Sequence, residues 1–302
     1  MAYIEKQRHG KHDYYYAAKS IRMSAGKVRK VRLFIGRKLP DPEALGRLFA
    51  KLEKKAPKPY KALLLPKDTV EMLEDLRATA LRFRKFPDEA LPKDFLVRFT
   101  YNTNAIEGNP LTLRQTALIL ADGIAPEGTK TDDVVEALNG KDAWNFVKGY
   151  KGRMNKQFAC RVQLEITKNT KCRIQGMFRN SEVGISGSDW KPPEASRVPA
   201  LMDAAVAQYM KKKRSLHPVE LASWLHNSIA RIHPFTDGNG RTARLLMNWV
   251  LFRNRFPPVV IEVRNKEAYY KMIEAADKGD EAPFAEFLAR EMLKQYTVKK
   301  EA

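Results

Sequence analysis

Cysteine is scarce in this sequence, which has only Cys160 and Cys172 among its 302 residues. The two lie in no CxxC pair and have no histidine at metal-ligand spacing, which argues against a zinc site and a disulfide scaffold. A single disulfide bridge between them stays open as an alternative. Because such cysteine usage is typical of a reducing compartment, we expect a cytoplasmic protein.

Long apolar runs are missing as well. The longest, ALLLP and LLMNWVLF, are far shorter than the roughly 20 residues that a helix needs to cross a bilayer. The first ten residues, MAYIEKQRHG, lack the apolar core of a secretory signal. The sequence therefore predicts neither a membrane span nor membrane association.

Acidic residues are outnumbered, since 35 Asp and Glu residues stand against 55 Lys and Arg residues, for a net charge of +20. Residues 1–61 alone hold 17 Lys and Arg residues against 5 Asp and Glu residues, a local charge of +12. A basic surface favours anionic partners, and this region also contains Tyr3, Tyr14, Tyr15 and Tyr16. Two interpretations stay open: an accessory nucleic-acid or acidic-partner contact through residues 1–60, and a plain solvated basic surface.

The residue patterns predict a mainly α protein with a small basic β-rich module in front of it. Strand-forming runs separated by turn residues fill residues 2–36, and KKAPKPYK at 54–61 has the composition of a linker. We therefore expect a β-rich module with its linker over 1–60 and a helical domain over 61–302. Glycines and an Asn-Ser pair, which are typical of turns, predict a β-hairpin over 174–187. Apolar periodicity predicts helices over 69–86, 92–107, 112–122, 131–150, 198–211, 218–231, 241–254, 265–278 and 281–296.

The stretch HPFTDGNGRTAR, which begins at residue 233, has the features of an anion site. Gly238, Asn239 and Gly240 favour a turn whose backbone N–H groups point inward, just before a predicted helix N-terminus. Arg241 and Arg244 lie three residues apart and so project from one face of that helix. Paired guanidinium groups above such a turn suit a polyphosphate, which they bind through two parallel hydrogen bonds each.

Two further side chains of the stretch suggest chemistry rather than binding alone. Asp237 places a carboxylate where Mg²⁺ would bridge it to phosphate oxygens. His233 is the one group there that takes up a proton near neutral pH. The alternatives are a calcium loop, which fails because Asn248 stands at the position of the closing glutamate, and a helix–turn–helix with a solvent-facing arginine pair.

The stretch resembles, position for position, the HPFx(D/E)GNGRxxR motif of Fic-domain proteins, the AMP-transferring enzymes also called AMPylators. The resemblance extends over roughly residues 95–290, and residues 1–60 lie outside it. IQGMFRNSEVGISG resembles the flap hairpin of the family, although QGMFR departs from the more usual AGxYR pattern. The implied fold is a helical Fic-like core with a β-hairpin flap.

The resemblance implies a role for each matching residue. In the family the motif histidine, here His233, is the general base, and the acid corresponding to Asp237 holds Mg²⁺. The implied reaction is transfer of AMP from ATP to a Ser, Thr or Tyr hydroxyl of a target protein. The phosphate-binding residues would be Gly238, Asn239, Gly240, Arg241 and Arg244, and the target-docking residues of the flap would be Gly176, Met177, Phe178 and Arg179.

Residues 103–108, TNAIEG, match the inhibitory pattern (Ser/Thr)xxxE(Gly/Asn) of the family's class II members, with an inhibitory segment over 92–108. The resemblance implies that Glu107 pairs with Arg244 and so occupies the place of the γ-phosphate. The alternative is that Glu107 is simply exposed at a helix end.

Two other hypotheses about the function of the whole chain stay open. Glu107 would also suit a hydrolase that removes AMP from a modified protein, and the basic module would suit a nucleic-acid-binding regulator with a Fic core. The sequence does not decide the oligomeric state, a homodimer being one option, nor does it identify the target protein.

Overall fold

The structure is a computed structural model that describes residues 2–22, 28–55, 62–80, 91, 94–184 and 190–296. The chain divides into two compact units, Met1–Tyr60 and Lys61–Ala302. The first contains three strands and a helix, and the second is helical. None of the described helices combines the length and the hydropathy of a membrane span.

The first unit is an antiparallel sheet with strand order β1-β2-β3 and a helix, α1. Its elements are β1 Ala2–His9, β2 His12–Arg22, β3 Val28–Gly36 and α1 Pro42–Lys55. His9 pairs with His12, so β1 and β2 are joined by a two-residue loop. Gly10 opens this loop at φ 62°, the positive φ that a tight hairpin loop requires. The prediction of β structure over residues 2–36 is confirmed for the described residues.

The second unit is built from helices that follow each other along the chain. Its helices are α2 Lys67–Ala80, α3 Phe95–Ile106, α4 Leu113–Asp122, α5 Thr131–Gly149, α6 Lys156–Thr167, α7 Val198–Lys212, α8 Pro218–Ile232, α9 Asn239–Arg253, α10 Lys266–Asp277 and α11 Ala282–Tyr296. Two single turns of 3-10 helix precede α7 and α10. The predicted mainly α fold is thus confirmed, with helix ends that differ from the predicted ones by a few residues.

Helix α9 lies at the centre of this unit. From Arg241 to Phe252 every residue of it is buried, the polar and charged ones included. Helix α8 packs against it, and the stripe of Val219, Ala222, Leu225 and Ile229 is fully buried. The loop that joins these two core helices carries the HPFTDGNGRTAR motif, so the motif lies against the buried core of the unit.

Two helices were not predicted from the sequence. Helix α1 lies in the module predicted as β-rich structure and linker, and α6 lies between two predicted elements. In α6 the buried apolar residues Phe158, Ala159, Val162 and Ile166 are spaced on one helical face. Basic and polar residues around them hide this pattern in the sequence.

The predicted β-hairpin over 174–187 is wrong for the residues that the structure describes there, 174–184, which form bends and no strand. Their backbone donors have partners other than a neighbouring strand. The N–H of Gly176 donates to Oε1 of Gln163 at 2.6 Å, and the N–H of Arg179 donates to the carbonyl of Pro234 at 2.9 Å. Residues 185–187, the end of the helix predicted over 69–86, and most of the predicted linker lie outside the described residues.

Candidate active site

His233 ends α8 in a left-handed conformation, with φ 48° and ψ 59°. This conformation costs a non-glycine residue roughly 1–2 kcal/mol, and it persists where the surrounding structure holds it. Here the N–H of His233 donates to the carbonyl of Ile229 at 2.9 Å, and Pro234 and Phe235 behind it are buried. The strain turns the chain sharply and sets the position of the imidazole.

The protonation state of His233 follows from its surroundings. Nδ1 lies 3.3 Å from the carbonyl oxygen of Ala230, which can only accept, so Nδ1 carries the proton and the lone pair is on Nε2. Burial lowers the pKa of His233 below its ordinary 6.5. At neutral pH His233 is therefore an uncharged base with Nε2 as its accepting atom.

The side chain of Asn239 forms hydrogen bonds across the motif loop. Its Oδ1 accepts from the N–H of Phe235 at 2.9 Å, and its Nδ2 donates to the carbonyl of Phe235 at 2.8 Å. Phe235 is fully buried and its ring lies 5.8 Å from that of Phe178. The side chain of Asn239 therefore shapes the loop, which leaves its backbone for contact with an anion.

The two glycines of the motif allow close approach to the loop. Gly238 has φ 79°, and a Cβ there would also lie 3.2 Å from Cγ2 of Thr167. A Cβ at Gly240 would clash with Oε1 of Glu107. Because α9 begins at Asn239, the backbone N–H groups of its first turn have no partner within the helix. The sequence predicts an anion site at these groups, and a helix N-terminus of this kind suits one.

Arg244 is buried, with 2% of its side chain exposed, and its guanidinium makes four contacts. Nε donates to Oγ1 of Thr103 at 2.9 Å, and Nη2 donates to the carbonyl of the same residue at 2.8 Å. Nη1 donates to the hydroxyl of Tyr269 at 3.1 Å. The fourth contact is the ion pair with Glu107, in which Nη2 lies 2.8 Å from Oε1.

Arg244 is also supported through Tyr269, which contacts the buried His226. The hydroxyl of Tyr269 lies 2.8 Å from Nε2 of His226. His226 is fully buried, and burial lowers its pKa to about 3. A neutral imidazole therefore stands behind the tyrosine, and the pair orients Arg244 without adding a second positive charge.

Glu107 reaches the loop from helix α3, whose C-cap it forms. Gly108 follows at φ 102°, a value that favours glycine, and turns the chain away. The side chain of Glu107 is 34% exposed, so it lies at the wall of the site rather than in the core. The structure thus brings Glu107 and Arg244 together, as the sequence pattern implies.

Arg241 has carboxylate partners of its own. Its Nη1 lies 2.7 Å from Oε1 of Glu136, and its Nη2 lies 3.1 Å from Oδ1 of Asp237. Its Nε is buried and has no hydrogen-bond partner among the described residues. Nδ2 of Asn109 donates to the other oxygen of Glu136 at 2.8 Å, which links this pair to the segment that carries Glu107.

Asp237 is the candidate magnesium ligand. Its side chain is half exposed, and one oxygen accepts from the N–H of Gly238 at 2.6 Å. Within the described residues no group of three His, Cys, Asp or Glu side chains could hold a metal alone. A single half-exposed carboxylate fits Mg²⁺, which takes one or two protein carboxylates and leaves other positions to water and phosphate, although both oxygens of Asp237 also accept from Nη2 of Arg241.

Arg179 and Gln163 tie residues 174–184 to the loop. Nε of the buried Arg179 donates to the carbonyl of His233 at 2.9 Å. Gln163, on α6, accepts from Gly176 and donates to the carbonyl of Asp237 at 3.1 Å. Met177 points away from these contacts and is 63% exposed. Of the four predicted docking residues, Met177 is therefore the one with a freely accessible side chain.

The sequence did not point to several residues that complete the site. Glu136 lies 105 residues before its partner Arg241, and Gln163 lies on a helix that was not predicted. No pattern in the neighbouring sequence therefore marked either residue as part of the site. Tyr269, on α10, is buried and contacts Arg244.

The chain is similar in sequence to proteins of one known family. The model of the Fic/DOC family matches residues 154–251, which include α8, the motif loop and most of α9. The protein adenylyltransferase Fic of Nematostella vectensis is 33% identical over 230 residues, covering 73% of this chain and 53% of the relative. The one of Aedes aegypti is 34% identical over 202 residues, covering 65% of this chain and 40% of the relative.

The solved structures give the same result for the fold. A Fic-domain signalling protein from Bacteroides thetaiotaomicron superposes with a TM-score of 0.69 at 26% identity, over 76% of this chain and 94% of its own. The chain therefore has the fold of that protein through most of its length. It spans only about half the length of the relatives named above, or less.

Proposed function

This chain belongs to the Fic/DOC family, and on that premise we propose that it is a protein adenylyltransferase, which transfers AMP from ATP to a hydroxyl side chain of a target protein. The observation that carries the proposal is the arrangement at the motif loop. A neutral imidazole with an accepting Nε2 stands beside a helix N-terminus and two buried arginines. Base and polyphosphate site are thus adjacent.

In the proposed reaction His233 acts as the general base. Nε2 takes the proton of the target's hydroxyl while the oxygen attacks the α-phosphorus of ATP. The bond between the α-phosphorus and the oxygen bridging to the β-phosphorus breaks, and pyrophosphate leaves with that oxygen. The product is a phosphodiester between AMP and the target, and the proton remains on His233 until it passes to solvent.

The charge that gathers on the leaving group has to be neutralised at the loop. The backbone N–H groups of Gly238, Asn239 and Gly240 and the guanidinium groups of Arg241 and Arg244 would do this. Asp237 would hold Mg²⁺, which supplies further neutralisation of the phosphate oxygens when it is bound.

We further propose that Glu107 inhibits the enzyme. Its carboxylate lies 2.8 Å from Nη2 of Arg244 and against Gly240, so it competes with the phosphate that this arginine would bind. ATP would then bind with its phosphates displaced, and the α-phosphorus would face away from in-line attack. Each tenfold of inhibition requires only about 1.4 kcal/mol.

Target docking would use the residues beside the loop. The exposed Met177 borders a groove of about 450 Å³ that lies between α6 and residues 176–178. Arg179 would contribute indirectly, since its buried guanidinium holds the backbone of His233. A target segment placed in this groove has its hydroxyl brought toward the base.

Intact-mass measurement after incubation with ATP and Mg²⁺ tests the proposal through self-modification. The Glu107→Gly variant should gain one adenylate at least about ten times faster than the wild type, as expected for the loss of ~1.4 kcal/mol of inhibition. Glu127→Gly, which changes an exposed glutamate in a loop, should behave like the wild type. A doubly substituted Glu107→Gly, His233→Ala chain should gain nothing; equal labelling of it would refute the role of His233.

A second candidate is supported by the same glutamate. The side chain of Glu107 is one-third exposed beside the loop, where a carboxylate would also orient water and hydrolyse AMP from a modified protein. Incubating an AMP-modified protein with the wild type and with Glu107→Gly separates the two directions. Hydrolysis by the wild type that is lost in the variant supports the hydrolase; no hydrolysis by either supports transfer alone.

A further inference from the structure

One face of the three-stranded sheet of residues 1–60 carries aromatic and basic side chains that are exposed on β3. Exposure alternates along β3: Lys30, Arg32 and Phe34 are exposed, whereas Val31 and Leu33 are partly covered. In antiparallel pairing, residues directly opposite each other share a face. Phe34 pairs with Tyr16, Arg32 with Ala18 and Lys30 with Ser20, while Ala18 also pairs with Tyr3. We call this the open sheet face; its large side chains are Tyr3, Tyr14, Tyr16, Lys30, Arg32 and Phe34.

Aromatic rings cluster at one end of the open sheet face. Phe34 is 61% exposed, with ring centroids of Tyr16 and Tyr14 at 5.4 and 6.1 Å. A phenylalanine exposed to this extent contributes little to the stability of the fold, since most of its apolar surface stays in water. The same surface stabilises a complex when a flat ligand covers it.

Cations surround these rings. Arg37 lies 5.4 Å from the ring of Tyr14, and Lys30 lies 5.8 Å from that of Tyr3. Arg32 stands beside Phe34 in the register of β3. The acid on this face, Glu5, is already engaged by Arg32 at 2.7 Å and Lys30 at 3.1 Å. The surface therefore combines exposed rings with positive charge, within a segment whose local charge is +12.

We propose that the open sheet face binds single-stranded nucleic acid, with bases stacked on Phe34 and its neighbouring tyrosines and with the phosphate backbone along Lys30, Arg32 and Arg37. Stacking platforms bordered by cations are the general means of binding single strands without a fixed sequence. In a duplex the faces of the bases are stacked on each other and out of reach of such rings. The proposal concerns a second activity and holds whether or not the chain transfers AMP.

Glu5 sets the strength of this binding. The hydrogen bonds from Arg32 hold the pKa of Glu5 at about 2, so the carboxylate stays charged and competes with a phosphate for both cations. Replacing it by the uncharged, equally sized glutamine frees Arg32 and Lys30 for the backbone. If the open sheet face bound no single strand, Glu5→Gln would not strengthen the binding of single-stranded oligonucleotides in particular.

Fluorescence anisotropy of the full chain with a labelled oligothymidine of about 15 nucleotides, and with a duplex of the same length, tests the proposal. The wild type should bind the single strand more tightly, with an affinity that falls as salt rises. Phe34→Ala should weaken this binding at least about fivefold, the loss of one stacked base. Glu5→Gln should strengthen it, and Arg32→Ala should weaken it and reduce the salt slope by about 0.7.

Matched controls lie elsewhere on the same unit. Arg47→Ala removes the same charge from the exposed surface of α1, and Leu39→Ala removes an apolar side chain that is 47% exposed; both should bind like the wild type. Absence of binding by the wild type would overturn the proposal. So would tighter binding of the duplex with no effect of Phe34→Ala, or a loss in Arg47→Ala equal to that in Arg32→Ala, since bulk charge would then explain the affinity.

Discussion

Each arginine of the motif loop is paired with a carboxylate from another helix. Arg244 pairs with Glu107 at the end of α3, and Arg241 pairs with Glu136 on α5. Both guanidinium groups are nearly fully buried, and a buried charge without a partner is costly. The carboxylates therefore stabilise the two arginines, and a polyphosphate bound there, as proposed above, would have to replace at least part of their contacts.

The pH dependence of transfer follows from the state of His233. Burial lowers the pKa of this base, and the base works in its neutral form, so activity is present above the pKa and is lost as pH falls through it. We expect the acidic limb of kcat/KM for self-modification by Glu107→Gly to have its midpoint below pH 6.5.

The charge of Glu107 acts in the opposite direction on that midpoint, because it favours protonated His233. Removing the glutamate should therefore leave the midpoint no higher than in the wild type. A midpoint above 6.5 in Glu107→Gly would contradict the assignment of a buried, neutral base.

At the scale of elements, α6 holds the loop and the flanking residues 174–184 together through Gln163. Its amide accepts from Gly176 and donates to the carbonyl of Asp237. Gln163→Leu keeps the volume and leaves both backbone groups without partners. We expect a loss of about 1–3 kcal/mol in the free energy of unfolding, together with a slower transfer to targets, measured by urea unfolding and by labelling rates.

Gln208→Leu is the matched control on the next helix, α7, since Gln208 is exposed, lies outside the proposed docking groove, and its substitution should change neither quantity. If Gln163→Leu unfolds like the wild type, the two hydrogen bonds do not hold the loop, and the role of α6 as its support is wrong.

Local sequence patterns predicted the elements whose apolar residues recur at helical spacing, such as α8 and α9. They did not predict α6, where the polar and charged Arg161, Gln163 and Glu165 are interleaved with the apolar residues of the helix. Local patterns predicted a hairpin over 174–187 because glycines and Asn-Ser pairs are common in the turns of hairpins. The backbone donors of Gly176 and Arg179 are satisfied by α6 and the motif loop instead, which is a tertiary effect that no local pattern contains.

The candidate site could be predicted where its residues form one run, from His233 to Arg244. Glu107 was found only because it lies in a recognisable pattern of its own. Glu136 and Tyr269 contact the same arginines from 105 and 25 residues away, and nothing in their immediate sequence distinguishes them from surface or core residues. Their place in the site depends on packing of α5 against α9 and of α10 against α8.

At the scale of the whole molecule, a buried histidine makes stability depend on pH. Burial holds the pKa of His226 at about 3, below its ordinary 6.5, so the unfolded chain binds a proton that the folded chain does not. Stability contributed by the neutral form is complete above pH 6.5 and is lost as pH falls below it. Between pH 6.5 and 5 this amounts to roughly 2 kcal/mol.

The contribution of His226 is measured by comparing the wild type with His226→Gln, which keeps a hydrogen-bonding partner for Tyr269 and does not titrate. Urea unfolding at both pH values, followed by tryptophan fluorescence, reports on the unit Lys61–Ala302, where all four tryptophans of the chain lie. The variant should lose about 2 kcal/mol less than the wild type on acidification. Equal losses would show that His226 is not held neutral.

In the proposed reaction the motif loop presents the α-phosphorus of ATP to a hydroxyl, with pyrophosphate as the leaving group. This is tested with Glu107→Gly, Mg²⁺ and ATP labelled at either the α- or the γ-phosphate, followed by denaturing electrophoresis. We expect label from the α-phosphate to stay on the protein and label from the γ-phosphate to be absent from it. Retained γ-label, or retained α-label that survives unchanged when His233 is also replaced by alanine, would contradict the proposed reaction.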